Sequence, residues 1–191
     1  MHRQEGYTLI ELLVVAAIIG ILLAIAIPNL IKARISSNEA NAKKGMQTLR
    51  DAEGLYFNQD LNNDGISNYS AEIGDLVTSN TLRCPALPCV QEDALVDDSF
   101  EGAVASSGVS DCVDSKAGYC FKFSDDIGLS DLSVLEFDFG WEGSPRAVNK
   151  TGRKDYSIFG DGTIRCTISI LPSGSEGDFS ATRVSPGCDD L

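Results

Sequence analysis

Residues 7–27 read YTLIELLVVAAIIGILLAIAI, and this run contains a single charged side chain, Glu11. At about 1.5 Å of rise per residue, a helix over the run is roughly 30 Å long, which matches the hydrocarbon core of a bilayer. A charged side chain in hydrocarbon costs about 2.5–3.5 kcal/mol on insertion scales, so we expect Glu11 to have a partner. The run therefore predicts a membrane helix with an acid near its start.

The segment before the run predicts that the membrane helix is retained. Residues 1–6 are too short and too polar for a secretory signal peptide, and no small-x-small cleavage site closes the apolar run. Arg3 ahead of the run favours a cytoplasmic N-terminus, although Lys32 and Arg34 behind it weaken that argument. We expect an anchor followed by a soluble domain outside the cytoplasm.

Composition limits the kind of domain that the anchor can carry. At 191 residues and 20.4 kDa the chain has room for one membrane helix and one soluble domain. A net charge of −13 argues against nucleic acid as a ligand. The chain has a single histidine, His2, which argues against serine-histidine, cysteine-histidine and histidine-metal catalysis. No phosphate-binding loop motif is present either, so we expect a protein that is not an enzyme.

The cysteines all lie beyond residue 80, and their even number predicts disulfides in an oxidising compartment. A zinc site is the alternative, but no Cys-x-x-Cys pair is present and the histidine is remote. Pairing of nearest neighbours closes the shortest loops, which stabilise least by loop entropy, and the connectivity stays open. The six are Cys84, Cys89, Cys112, Cys120, Cys166 and Cys188.

The start of the chain resembles a known signal. A short charged leader, then Gly6 followed by Tyr-Thr-Leu-Ile-Glu, with Pro28 closing the apolar run, is similar to the class III signal of type IV prepilins and secretion pseudopilins. The resemblance implies that a prepilin peptidase cuts between Gly6 and Tyr7 and methylates the new amine of Tyr7. The family usually has phenylalanine at this position, and tyrosine keeps an aromatic ring there.

The same resemblance implies a partner for Glu11. In a filament of parallel helices, the Glu11 carboxylate of one subunit lies beside the Tyr7 amine of another, and each charge neutralises the other in an apolar medium. This pairing also sets the axial stagger between subunits. The alternative is that Glu11 lies near the membrane surface and reaches the headgroups.

The helix is expected to continue through residues 29–58 as an amphipathic segment. Its apolar stripe comprises Ile35, Ala42, Met46, Leu49, Ala52 and Tyr56. Its opposite face carries Lys43, Lys44, Arg50, Asp51 and Glu53. Pro28 removes a backbone donor, so we expect a kink or local melting there, where the assembly helix 7–28 ends.

A loop after the helix resembles part of a calcium site. Asp60, Asn62 and Asp64 alternate and are followed by Gly65, which suits a hard cation and a sharp turn. The match fails at the twelfth position, where alanine replaces the expected acid. Calcium is therefore a candidate cofactor, and an acidic turn without an ion is the alternative.

Residues 59–191 are expected to form an extracytoplasmic β-sheet domain with disulfide-tied loops. Residues 140–155 are expected to form a crossover loop and residues 84–118 a disulfide-tied loop. An Asp-Gly turn at 161–162 predicts a hairpin between the last two strands. The predicted strands are Tyr119–Phe123, Leu132–Phe139, Tyr156–Phe159 and Thr163–Ile170.

Together these features predict an α+β, pilin-like fold: a long N-terminal helix packed on a C-terminal antiparallel sheet, behind a leader at residues 1–6. The resemblance implies a structural pilus subunit that passes from the bacterial inner membrane, N-terminus cytoplasmic, into an extracellular filament of identical subunits. Its implied partners are the prepilin peptidase, the membrane, an assembly platform and a cytoplasmic ATPase. A secretion pseudopilin is one alternative, and a membrane-anchored, calcium-dependent extracellular module that never polymerises is another.

Overall fold

The computed structural model describes residues 7–60, 65–77, 94–128 and 132–188. A long helix, α1 (Leu9–Gln59), precedes a four-stranded antiparallel sheet, which confirms the predicted α+β class. By its internal contacts the chain divides into a unit that ends at Arg34 and a unit from Ile35 to Leu191. The first unit is the N-terminal part of α1, and its large apolar side chains are exposed.

α1 is helical without a break through Pro28, so the predicted local melting is not seen in this chain. The predicted apolar stripe is confirmed, because every member of it is buried in the second unit. The face assigned to Glu53 is wrong: this carboxylate is fully buried, whereas Asp51 is exposed as expected. Glu53 lies next to the stripe, and its charge alone predicts a solvent-facing side chain. Its burial depends instead on side chains from distant segments that pack against it.

The sheet has the strand order β1-β2-β3-β4, with every neighbouring pair antiparallel. Three of the predicted strands are confirmed as β1, β3 and β4. The bounds are β1 Tyr119–Phe123, β2 Gly140–Pro145, β3 Lys154–Phe159 and β4 Arg165–Ile168.

β2 lies where a crossover loop was predicted, so that part of the prediction is wrong. Glycine and proline in this stretch resemble a turn, but the two glycines serve close packing. A Cβ on Gly140 would lie 2.8 Å from the side chains of Ile127 and Phe159. A Cβ on Gly143 would lie 3.3 Å from Met46 of α1, so the strand approaches its neighbours closely at both points.

The predicted strand Leu132–Phe139 is also wrong, because Leu132–Glu136 forms a 3₁₀ helix. Val134 O accepts the N–H groups of both Phe137 and Asp138, which closes the chain into a turn. β2 occupies the position between β1 and β3, so this segment has no strand to pair with there. Alternating polarity alone does not distinguish the two conformations.

Among the described cysteines, two disulfides join nearest neighbours along the chain. Cys112–Cys120 links the start of β1 to the segment before it, and Cys166–Cys188 links β4 to the C-terminal segment. Cys84 and Cys89 lie outside the described residues. The loop predicted at residues 84–118 contains a short helix, α2 (Ser99–Ala103), in its described part.

A buried carboxylate joins α1 to the sheet. Glu53 Oε1 accepts the Trp141 indole N–H at 2.7 Å and the Ser70 hydroxyl at 2.6 Å, while Oε2 accepts the Ser70 backbone N–H at 2.9 Å. Burial raises the pKa of Glu53 to about 7, against the lowering effect of these hydrogen bonds. The network therefore ties α1, the segment 65–77 and β2 together at one point in the core.

Candidate assembly site

The first turn of α1 holds the acid of the predicted signal in a local hydrogen-bond box. The Thr8 backbone N–H and hydroxyl donate to Glu11 Oε2 at 2.8 and 2.7 Å, and the Glu11 N–H lies 3.3 Å from Thr8 Oγ1. The Thr8 carbonyl accepts the Leu12 N–H, so Thr8 is the N-cap and Glu11 the third helical residue. This is the reciprocal capping arrangement of Thr-x-x-Glu, which satisfies donors that a helix start leaves open.

Thr8 is the functional neighbour that the sequence interpretation missed. The signal that could have found it is the spacing itself, since Thr-x-x-Glu ahead of an apolar run is a capping box. In the single chain the partner of Glu11 is therefore Thr8. Both Thr8 donors bind Oε2, and Oε1 accepts no hydrogen bond from any described residue.

The helix surface around the box is apolar. From Tyr7 to Ile31 the large apolar side chains are all exposed, with Tyr7 at 84% and Leu12 at 62%. By length and composition this part of α1 is suited to cross a membrane. A negative side chain at the N-terminal end of a helix is favoured by the helix dipole, so Glu11 suits its position electrostatically.

The structure describes only part of the predicted calcium loop. Asp60 ends the helix with a left-handed backbone (φ 46°), and its Oδ2 accepts the Gly65 N–H at 3.1 Å. Its Oδ1 is buried and accepts no hydrogen bond from the described part of the chain. Asn62 and Asp64 lie outside the described residues. Within the described ranges, no group of three or more His, Cys, Asp or Glu residues is arranged to hold a metal.

Comparison with known proteins identifies the N-terminal signal. The family model of the prokaryotic N-terminal methylation motif matches residues 1–27, which include Glu11 and the box. Over 142 residues the chain is 46% identical to the type IV major pilin protein PilA of Myxococcus xanthus, covering 74% of this chain and 61% of that pilin. Over most of its length the chain is therefore similar to a type IV major pilin, and its N-terminus carries the methylation motif. No solved structure matches it.

Two shorter matches are also to pilus components. Over 39 residues the chain is 56% identical to the wide pilus major component PilA4 of Thermus thermophilus, covering 20% of this chain and 30% of that protein. Over 50 residues it is 44% identical to the narrow pilus major component PilA5 of the same organism, covering 26% and 43%. The chain thus aligns with about three fifths of the Myxococcus protein and less than half of either Thermus protein.

Proposed function

We propose that this protein is a structural subunit of a type IV pilus, polymerised through its N-terminal helix. The observation that supports this most is the exposed apolar helix of residues 9–31, whose single acid lies at its first turn. An apolar surface of this length requires lipid or other helices around it. The three relatives above are each named as pilus components, which favours a pilus over a secretion pseudopilus.

The capping box gives this assembly step a defined chemistry. Before assembly, Thr8 satisfies Oε2 of Glu11 and leaves Oε1 open, which lowers but does not remove the cost of placing this carboxylate in the membrane. Cleavage between Gly6 and Tyr7 creates a cationic amine at Tyr7. This amine can donate a hydrogen bond to Oε1 of Glu11 in a neighbouring subunit. We infer that assembly adds this second partner to Glu11, and that Thr8 orients the carboxylate for it.

The remaining partners follow from the same proposal. A prepilin peptidase cuts the leader and methylates Tyr7, while a membrane platform and a cytoplasmic ATPase supply the force that this chain does not generate. The precursor crosses the inner membrane once with its N-terminus in the cytoplasm. The domain from Ile35 onward then lies outside, where its disulfides are stable.

Coexpression with a prepilin peptidase tests the first step. We expect the N-terminal peptide of the product to begin at Tyr7 and to carry one added methyl group, as measured by mass spectrometry. A Gly6→Leu variant should keep its leader, because its cleavage site lacks the glycine after which the peptidase cuts. Recovery of the uncut chain from the parent protein, with an active peptidase present, would contradict the proposal.

We propose calcium as a ligand of the loop that begins at Asp60, with Asn62 and Asp64 as the other side-chain donors. The supporting observation is the buried Asp60 Oδ1, which accepts no hydrogen bond from any described residue, although burying an unpaired carboxylate oxygen is costly. The Gly65 N–H on Oδ2 closes the turn that would bring the loop oxygens together. An ion at this point would stabilise the C-terminal end of α1.

Thermal unfolding in detergent micelles tests the calcium site. At a calcium concentration about 100-fold above the dissociation constant we expect the melting temperature to rise by about 5–10 °C, because only the folded state binds the ion. Asp64→Ala should remove this rise, whereas Asp51→Ala, on the exposed face of α1, should keep it. An unchanged melting temperature of the parent protein on adding calcium would exclude the site.

A further inference from the structure

Glu53 lies in the core, and none of the described residues places a cation beside it. It is fully buried, as are the two residues that donate to it, Ser70 and Trp141. No described lysine or arginine side chain bonds to it, and the charged group that acts on it is another acid, Asp75. An ionised Glu53 therefore adds negative charge to a buried region that already holds one carboxylate.

The hydrogen-bond donors around Glu53 accommodate both of its protonation states. The Ser70 N–H and the Trp141 indole N–H can only donate, and each binds a different carboxylate oxygen. The Ser70 hydroxyl, 2.6 Å from Oε1, can donate or accept. A protonated Glu53 can donate its O–H to this hydroxyl, whose own hydrogen then turns away, and it can still accept both N–H groups. Protonation therefore needs only a rotation of the Ser70 hydroxyl.

The other titratable groups near Glu53 either pair elsewhere or add negative charge. On α1, Arg50 binds Asp51 at the surface at 2.8 Å. On the segment 65–77, Asp75 accepts the backbone N–H groups of Ala71 and Glu72.

The groups from the sheet side also leave Glu53 without a cation. Glu142 follows Trp141 in β2, so the two side chains point to opposite faces, and it contacts Lys122 at 3.5 Å. Asp138, just before β2, binds Arg183. Tyr69 interacts electrostatically with both Glu53 and Asp138.

We propose that Glu53, Ser70 and Trp141 form a proton-sensitive latch: protonated Glu53 holds the segment 65–77 and β2 on α1, and ionisation of Glu53 loosens them. The inference goes beyond the pilus function and does not depend on it. The latch lies at the end of α1 that adjoins the candidate calcium loop, so its opening would change the support of that loop.

The direction of the pH dependence follows from proton binding. In the unfolded chain the pKa of Glu53 has its ordinary value of 4.5, and burial raises it to about 7 in the folded protein. The folded state thus holds the proton more tightly, and its contribution to stability is complete below pH 4.5. Between pH 4.5 and about 7 that contribution is lost, which corresponds to a roughly 300-fold change in the unfolding equilibrium constant.

The latch has a built-in reporter, because Trp141 is the only tryptophan of the chain and its indole N–H binds Glu53 directly. The full chain in detergent micelles is titrated from pH 5 to pH 9 while tryptophan emission is recorded. We expect one transition with a midpoint near pH 7. Amide exchange at Ser70, corrected for its intrinsic pH dependence, should rise through the same midpoint.

Two variants assign the transition to Glu53. Glu53→Gln should abolish it, with circular dichroism at pH 5 used to check that the variant is folded. Asp75→Asn should keep the transition but move its midpoint to lower pH, since one negative charge is removed; this variant carries the test if Glu53→Gln does not fold. Asp97→Asn, an exposed acid on another segment, should leave the midpoint unchanged.

Three results would overturn the latch. The first is a parent protein whose tryptophan emission shows no transition above pH 5. The second is a transition that persists in folded Glu53→Gln, and the third is a midpoint unmoved in Asp75→Asn. None of these results bears on cleavage at Tyr7 or on filament formation, so the latch and the pilus function are tested separately.

Discussion

A Glu11→Ala variant is expected to form no filaments, although its leader is still cut and its domain from Ile35 onward is still folded. In the filament proposed above, the Tyr7 amine of the neighbouring subunit would lose its counter-charge in an apolar medium. Removing one member of a buried ion pair costs about 3–5 kcal/mol. This cost would weaken the equilibrium constant for adding each subunit by more than about a hundredfold. The domain is unaffected because Glu11 bonds only to Thr8 within the described chain.

Electron microscopy of sheared material measures this effect, with subunit levels in the membrane determined in parallel. Thr8→Val is the matched comparison: it keeps the acid but removes the hydroxyl that donates to Oε2. We expect fewer filaments from this variant, because the carboxylate is less well oriented, but not their loss. Filaments of Glu11→Ala at parental abundance would show that the acid has no role in assembly.

A Glu53→Ala variant is expected to lose about 3–5 kcal/mol of folding free energy. The substitution leaves the Ser70 N–H and the Trp141 indole N–H buried without an acceptor, at roughly 1–3 kcal/mol for each, and it also leaves a cavity. For a chain of this size the change corresponds to a melting temperature lower by about 10 °C. Thermal unfolding in micelles at pH 5, where the parent latch is protonated, measures it.

Asp51→Ala is the matched control for this prediction. Asp51 precedes Glu53 by two residues on α1, but its side chain is 65% exposed and pairs only with Arg50 at the surface. We expect this control to change the free energy of unfolding by less than about 0.5 kcal/mol. Equal effects of the two substitutions would mean that the buried network does not hold α1 to the sheet.

The helical part of the fold was predictable because its information is local. About six turns of apolar residues predict a membrane helix. The spacing of Met46, Leu49 and Tyr56 predicts which face of α1 is buried. β1 and β3 were predictable from their branched and aromatic residues. β2 was not, because its glycines have the composition of a turn and form a strand through close packing with distant residues.

The candidate site was predictable in part. The position of Glu11 in the signal drew attention to it, and the matched methylation motif covers that position. The reciprocal hydrogen bonds between Thr8 and Glu11 were not predicted, although the Thr-x-x-Glu spacing is typical of them. The pairing of Cys112 with Cys120 was left open, since loop length does not select one connectivity over the others.

By itself, the sequence determined the long apolar helix, the amphipathic stripe and the N-terminal methylation motif, because each of these depends on residues within a few turns of one helix. Only the tertiary structure decided the environment of Glu53. Its partner Trp141 lies 88 residues further along the chain, and helical periodicity placed the acid on the solvent face. Burial and hydrogen bonding of a carboxylate depend on side chains that folding brings together from distant segments. A local sequence pattern does not predict these contacts.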